Sequence, residues 1–303
     1  MIVWGINALN HGSSLAVFNN DQLISNQFTY SDQLSYDIVA AALKFGYPEH
    51  VYWYERPWIK KARQLRAGQW SRAFDLSVLP RKFVNTLGFK QVPITYTQHH
   101  ASHAAAGYYS SEFDDATVIV LDAIGEFESA TIWQAQGNNL TKVWSMSYPH
   151  SLGLFYSAFT QFLGMTPIKD EGVLESFAAN GNPRRFYHIV KDYFTDTVKL
   201  KYNLHQGVKN WPGYMEIEFP QDEWDLAAAV QQVFEEQISA VSLLAKTLNS
   251  SDNLVFTGGC AFNQGGCKIV QQQWKNVWTP PNPGDATSSI GAVLYHTKTR
   301  VKL

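Results

Sequence analysis

Two stretches of the chain alternate apolar and polar residues through the same series of steps. GINALNHGSSLAVFNNDQLISNQF (5–28) reads as strand, polar turn, strand, tight Asn-Asn-Asp turn and strand. VIVLDAIGEFESATIWQAQGNNLTKVWSM (118–146) repeats that reading, with Gly137-Asn138-Asn139 as its hairpin turn. The first polar turn holds His11, Gly12, Ser13 and Ser14; the second holds Asp122, Gly125 and Glu126. Helical periodicity follows each meander, over 34–45 in the first unit and over 152–163, 171–180 and 184–195 in the second. A long amphipathic pattern over 224–249 leads into a strand at 253–256, the turn TGGCAFNQGG and a helix. A short strand near 276–279, the loop PPNPGD and a helix ending near His296 close the chain. Such an internal echo predicts a duplicated α/β fold with mixed sheets. Residues 1–114 would form the first lobe and 115–303 the second.

The strand-like VPITYT runs into HHASHAAAGYY, a predicted helix on which His99 and His103 fall one turn apart and face one point. That spacing suits a metal site, and it equally suits two packed or surface histidines. No acidic residue stands between them, so a hydrolytic HExxH motif is excluded and a third ligand must come from elsewhere. Neither GxxxxGKS/T nor GxGxxG is present, which sets aside a Walker ATPase and a dinucleotide enzyme. Thr257, Gly258 and Gly259 instead open a late turn where backbone amides can meet phosphate oxygens. Two lobes with three polar loops around a cleft resemble the actin, hexokinase and heat-shock chaperone ATPase (ASKHA) superfamily.

Composition narrows the partners. No apolar run approaches the roughly 20 residues of a membrane helix, and MIVWGINALNHG lacks the blocks of a signal peptide, so a cytoplasmic protein without a membrane partner is expected. Cys260 and Cys267, seven apart, are expected on one buried helix face in a reducing compartment. The net charge of −2 hides an asymmetry, because the segment 56–90 carries nine basic residues against Asp75 alone. Trp58, Trp70 and Phe74 interleave with those charges, as on surfaces that grip phosphates and stack on bases. A solvated basic helix has the same composition.

A sharper resemblance rests on ordered motifs. HHASHAAAGYY, DDATVIVLDAIGEFESATIW and YPHSLGLFYSAFTQFLG are similar to the O-carbamoyltransferases of nodulation-factor, cephalosporin and aminoglycoside biosynthesis, as are GINALNHGSSLAV, TGGCAFNQGG and PPNPGDATSSIGAVLYH. It covers about 1–30 and 95–300. It implies a metal site on His99, His103 and Asp285, with iron(II) suited by ligand type and zinc or manganese as alternatives. It implies carbamoyl phosphate and ATP as substrates, carbamoyl-adenylate as intermediate, and an acceptor hydroxyl that takes the carbamoyl group. Gly258, Gly259 and Asn263 would hold the nucleotide, with Asn7 and Glu171 counted among the cofactor-binding residues. Asp122, at a strand end aimed into the cleft, is the first choice for proton acceptor and His11 the second, while Glu126 would orient either or bind Mg2+.

Two departures stand out. KDEGVLESFAANGNP keeps Glu171 but puts Val173 at the family's lysine position and Glu175 at its methionine. The chain also stops at Leu303, where family members continue into a domain that makes the adenylate. A separate adenylate-forming protein, both steps in one cleft, or a fragment would each account for that. The basic insertion 56–90 points to a polyanion acceptor, and the resemblance to compact, phage-type members implies 5-hydroxymethylcytosine in DNA first, once flipped from the stack. A sugar or antibiotic hydroxyl, threonylcarbamoyl transfer to tRNA, and a non-catalytic nucleotide-binding scaffold are the alternatives.

Overall fold

The two meanders form as expected, and the rest of each lobe repeats as well. In the computed structural model, which describes residues 1–213 and 215–303, the first unit comprises β1 (Ile2–Asn10), β2 (Gly12–Asn19), β3 (Gln22–Thr29), α1 (Tyr36–Leu43), β4 (His50–Trp53), α2 (Pro57–Arg66), α3 (Trp70–Phe74), α4 (Pro80–Thr86), β5 (Ile94–Tyr96) and α5 (His99–Tyr109). The second comprises β6 (Asp115–Gly125), β7 (Glu128–Gln136), β8 (Asn139–Ser147), α6 (Leu152–Phe162), α7 (Glu171–Ala178), α8 (Tyr187–Lys191), β9 (Phe194–Asp196), β10 (Lys199–Leu200), α9 (Pro220–Leu248), β11 (Asn253–Thr257), α10 (Gln264–Gln273), β12 (Asn276–Trp278) and α11 (Ser288–Thr297). The five-stranded sheets have orders β3-β2-β1-β4-β5 and β8-β7-β6-β11-β12. In both, the meander is antiparallel and the last two strands join it in parallel. The same order and the same strand sense in each lobe make this a duplicated, two-lobed α/β fold of actin/hexokinase type.

The terminal helix of each unit crosses to the other. Gly107 of α5 sits where a Cβ would lie 2.7 Å from Val255 of β11, and a Cβ on Gly5 of β1 would come closer still to α11, 1.8 Å from the Ser289 carbonyl oxygen. A boundary at 114/115 therefore separates the two sheets, while α5 and α11 are shared between the lobes. Every residue of α5 is buried. Its alanines make that feasible, since Ala101, Ala104 and Ala105 let it pack closely among Val118, Val120, Val255, Ile290 and Leu294.

Several boundaries moved for local reasons. The long helix α9 begins at Pro220, four residues before the expected start, because Pro suits the first helical position and Asp222 accepts from the Phe219 amide. The expected helix 184–195 is a 3₁₀ turn (Pro183–Arg185) followed by short α8, since Phe194 leaves to pair with Leu200 in a two-stranded ribbon. The cysteines do not share a helix: Cys260 lies buried in the 3₁₀ turn Gly259–Phe262, and Asn263 then caps α10, which carries Cys267. Among the described residues no helix is long and apolar enough to cross a membrane.

Candidate metal centre

The start of α5 places His99 and His103 one turn apart with their Nε2 atoms 3.1 Å from each other. Asp122, near the end of β6, brings Oδ2 to 3.1 Å from His99 Nε2 and 3.5 Å from His103 Nε2. Asp285, opening the 3₁₀ turn before α11, brings Oδ1 to 3.4 and 3.2 Å from the same two nitrogens. All the ligand atoms of this foursome lie within 4.8 Å of one another. The expected trio thus converges, and Asp122, expected as a proton acceptor, stands in the same ring of donors.

Each donor is held by its element. The Ala123 amide donates to Asp122 Oδ1 at 2.8 Å, leaving Oδ2 to face the histidines. Asn7 Nδ2 donates to the Asp285 carbonyl at 2.7 Å, so this buried residue anchors the turn that carries Asp285. Gly125 leaves room for the imidazoles, because a Cβ there would lie 2.4 Å from His99 Cδ2 and 2.7 Å from His100 Cδ2. His100 points away, its Nδ1 2.9 Å from Thr131 Oγ1, and burial holds it well below the usual imidazole range.

Two nitrogens and two carboxylate oxygens suit a borderline divalent cation such as iron, zinc or manganese. The electrostatics agree. Burial opposes protonation of His99, yet the Asp285 charge and contacts with Asp122 and Asp285 outweigh it and raise the imidazole well above its usual range. His103 is raised too, its burial outweighed by contacts with Asp122 and Asp285. Burial works against ionisation of the aspartates, but the facing imidazoles hold both carboxyls well below the usual range. A divalent ion held here would balance the two carboxylate charges and displace protons from the imidazole nitrogens it binds. The pairing of imidazoles with carboxylates stabilises the metal-free fold while the imidazoles are protonated. The histidine share is lost as pH rises through their raised values, and the aspartate share as pH falls through their depressed ones. Metal binding must displace those protons, so affinity should fall as pH drops below the raised imidazole values. Calorimetric titration of Zn2+ in buffers of different ionisation enthalpy should read proton release on binding that grows as pH is lowered; heats independent of the buffer would refute this linkage.

The remaining expected site residues spread more widely. Gly259 lies exposed beside the centre, where a Cβ would stand 3.0 Å from Asp122 Oδ1. The Gly258 amide donates to the Pro283 carbonyl at 2.9 Å, so it braces the Asp285 loop instead of offering itself to a phosphate. Asn263 caps α10 through Gly266 N and exchanges hydrogen bonds with Gln231, which occupies its amide. Glu171 accepts from Ser157 Oγ and from the Ile168 amide. Glu126 is buried, clamped by the Arg56 amide at 2.6 Å and by its guanidinium at 2.9 and 2.5 Å, outside the ring of donors. His11 is exposed in the turn between β1 and β2. Sequence reasoning missed Glu55, which follows β4 in YWYERP and lies buried beside His99. Its signal was position, at the carboxyl end of a parallel strand where α/β sheets build their sites.

The basic insertion also changes character. Arg56 and Lys60 pair with Glu126 and Glu55, Lys61 Nζ donates to the carbonyls of Arg72 and Asp75, and Arg63 donates to the Glu126 carbonyl. Arg81 donates to the Val92 carbonyl. Arg66, Arg72, Lys82 and Lys90 remain exposed, as do Trp58, Trp70 and Phe74.

The model of the family described as "Carbamoyltransferase N-terminus" matches residues 49–294. An uncharacterized protein of Synechocystis sp. is 28% identical over 96% of this chain and 56% of its own length. Nodulation protein NolO of Bradyrhizobium diazoefficiens is 23% identical over 65% of this chain and 37% of its own. The chain therefore spans about half or less of the length of these curated relatives. Among solved structures, HypF of T. kodakarensis superposes with a TM-score of 0.56 at 13% identity, covering 99% of this chain and 48% of its own. The activator of 2-hydroxyisocaproyl-CoA dehydratase from Clostridium difficile, solved with bound ADPNP, superposes at 0.53 with 14% identity over 97% of this chain and 94% of its own. At such identities these structures speak for the fold. The family match spans most of the duplicated core and includes all four converging donors, so the chain belongs to the carbamoyltransferase N-terminus family.

Proposed function

We propose that this chain carries out the transfer half of O-carbamoylation, moving a carbamoyl group from carbamoyl-adenylate to an acceptor hydroxyl at a metal centre of His99, His103, Asp122 and Asp285, with iron(II) as the favoured ion. The observation that carries the reading is the convergence of two imidazoles and two carboxylates at the junction of two lobes in a chain of this family. A bound divalent ion would supply Lewis acidity at the donor's phosphate or carbonyl oxygen and hold its pose. The chain's own residues do the rest. Asn7 and Gly258 brace the Asp285 loop, the Ala123 amide aims Asp122, and Gly259 leaves open backbone beside the centre where a nucleotide phosphate can approach. In the transfer the acceptor oxygen bonds the carbamoyl carbon, the bond from that carbon to the phosphate oxygen breaks, and AMP departs with the hydroxyl proton on its phosphate. The donor is made from carbamoyl phosphate and ATP, in this cleft, by a further domain of a longer chain, or by a separate adenylate-forming protein.

For the acceptor we infer 5-hydroxymethylcytosine in DNA, supported by the cations of the insertion that stay exposed, Arg66, Arg72, Lys82 and Lys90, and by the exposed Trp70 and Phe74 rings, stacked with centroids 6.4 Å apart. Mass spectrometry of nucleosides is the test, after incubating hydroxymethylated DNA with this protein, carbamoyl phosphate, ATP and iron(II), with and without an adenylate-forming protein. A gain of one carbamoyl group is expected, and Arg66, Arg72 and Lys82→Glu together should lower it in a salt-dependent way. Transfer to a sugar hydroxyl but not to DNA would move the acceptor to the small-molecule class. No AMP release with either would sink the transferase reading.

A further inference from the structure

The two candidate histidine ligands differ in what stands behind them. His99 turns Nε2 toward the ring of donors, 3.1 Å from Asp122 Oδ2. Its Nδ1, on the far side of the ring, is buried and has no hydrogen-bond partner. The nearest acceptor is Glu55 Oε2 at 3.9 Å, on a side chain only 7% exposed. The other oxygen of that carboxylate accepts from Lys60 Nζ at 2.6 Å. Lys60 lies on α2, the first helix of the basic insertion, so its ammonium neutralises the Glu55 charge without occupying both oxygens.

A ring nitrogen that binds a cation carries no proton, so with Nε2 as the ligand the imidazole proton must reside on Nδ1. A buried N–H needs an acceptor, and ligating histidines almost always find one in a carboxylate, a carbonyl or water. We propose that Glu55 is the positioning residue of the centre: it accepts the Nδ1 proton of His99, fixes the ring's tautomer and rotation, and is itself held by Lys60. This rests on the metal reading above and deepens it by tying ligand geometry to the insertion. Arg56 supports the same junction, since it clamps Glu126 one residue beyond Gly125, against which His99 packs.

The test uses Co2+ alone, titrated into the metal-free protein against a competing chelator and followed by its visible ligand-field bands. The pair Glu55→Met with Lys60→Met removes acceptor and counter-charge together while keeping the volume filled. That double variant should bind Co2+ about 10- to 100-fold more weakly, with shifted bands. Lys60→Met alone keeps the carboxylate but removes what holds it, and should weaken Co2+ binding by clearly less than the double variant. Wild-type affinity and bands in the double variant would overturn the role, as would an equal loss in Lys60→Met. Long-range 1H–15N spectra of the unsubstituted Zn2+-loaded protein give a readout independent of how the variants fold. His99 should show a downfield Nδ1 proton that exchanges slowly, and its absence would also overturn the proposal. Failure of the unsubstituted protein to bind Co2+ would instead remove the metal centre itself, and this role with it.

Discussion

His103→Ala is expected to lower the proposed carbamoyl transfer by roughly 10³, a loss of about 4 kcal/mol in transition-state stabilisation. His103 is fully buried, and its Nε2 faces His99, Asp122 and Asp285 at 3.1, 3.5 and 3.2 Å. Removing it takes one of the four donors and leaves two aspartates facing a single imidazole. Both carboxyls should then lose much of what depresses them and bind protons more readily. Metal affinity should fall further than for loss of an outer partner, beyond about 100-fold. The measurements are metal content by mass spectrometry and single-turnover AMP release, with circular dichroism to confirm the fold. Unchanged turnover with no bound metal would take the metal out of the reaction. Retained metal with lost turnover would point instead to proton handling by His103.

A change at the helix crossing should cost more in stability. Gly291 of α11 lies where a Cβ would stand 1.8 Å from the Ser102 carbonyl oxygen of α5 and 3.0 Å from Ala106 Cβ. Backbone cannot yield as a flexible side chain can, so Gly291→Ala must push the two helices apart. We expect a destabilisation of about 3 kcal/mol or more, at the upper end for overpacked cores. Because α5 carries His99 and His103 and Asp285 immediately precedes α11, the surviving folded protein should also bind metal more weakly. Gly172→Ala is the contrast, since nothing lies within 4 Å of its Cβ position on α7. There the helix propensity gain of roughly 0.5–1 kcal/mol should appear unopposed. Chemical denaturation of both variants decides the matter, and equal midpoints for Gly291→Ala and wild type would show that the crossing is not tight.

Much of the architecture was legible because it is local. Alternation of apolar and polar residues marks strands in the meanders, and Gly137-Asn138-Asn139 marks the hairpin, whatever lies around them. Repetition of that pattern was enough to imply two lobes. Boundaries failed where a single residue outranked periodicity, as Pro220 did at the start of α9 and Phe194 at the end of α8. Counting charges misjudged the insertion for a related reason. Composition treats Lys61 and Arg63 as surface cations, whereas the fold buries both and spends them on backbone carbonyls.

Within the site, the helix spacing of His99 and His103 followed from the sequence alone, because i and i+4 side chains share a helix face. The resemblance added Asp285. The place of Asp122 among the donors did not follow, since it depends on β6 ending beside the start of α5, a contact made only when the helix crosses to the second sheet. For the same reason Glu126 and Asn263, polar residues in suggestive turns, proved to be committed to Arg56 and to Gln231. By itself the sequence determined the duplicated meanders, the facing histidine pair and the family. Tertiary structure alone decided which carboxylates stand opposite those histidines, and that Glu55 waits behind one of them, because residues far apart in the chain meet only through the crossing of α5 and α11.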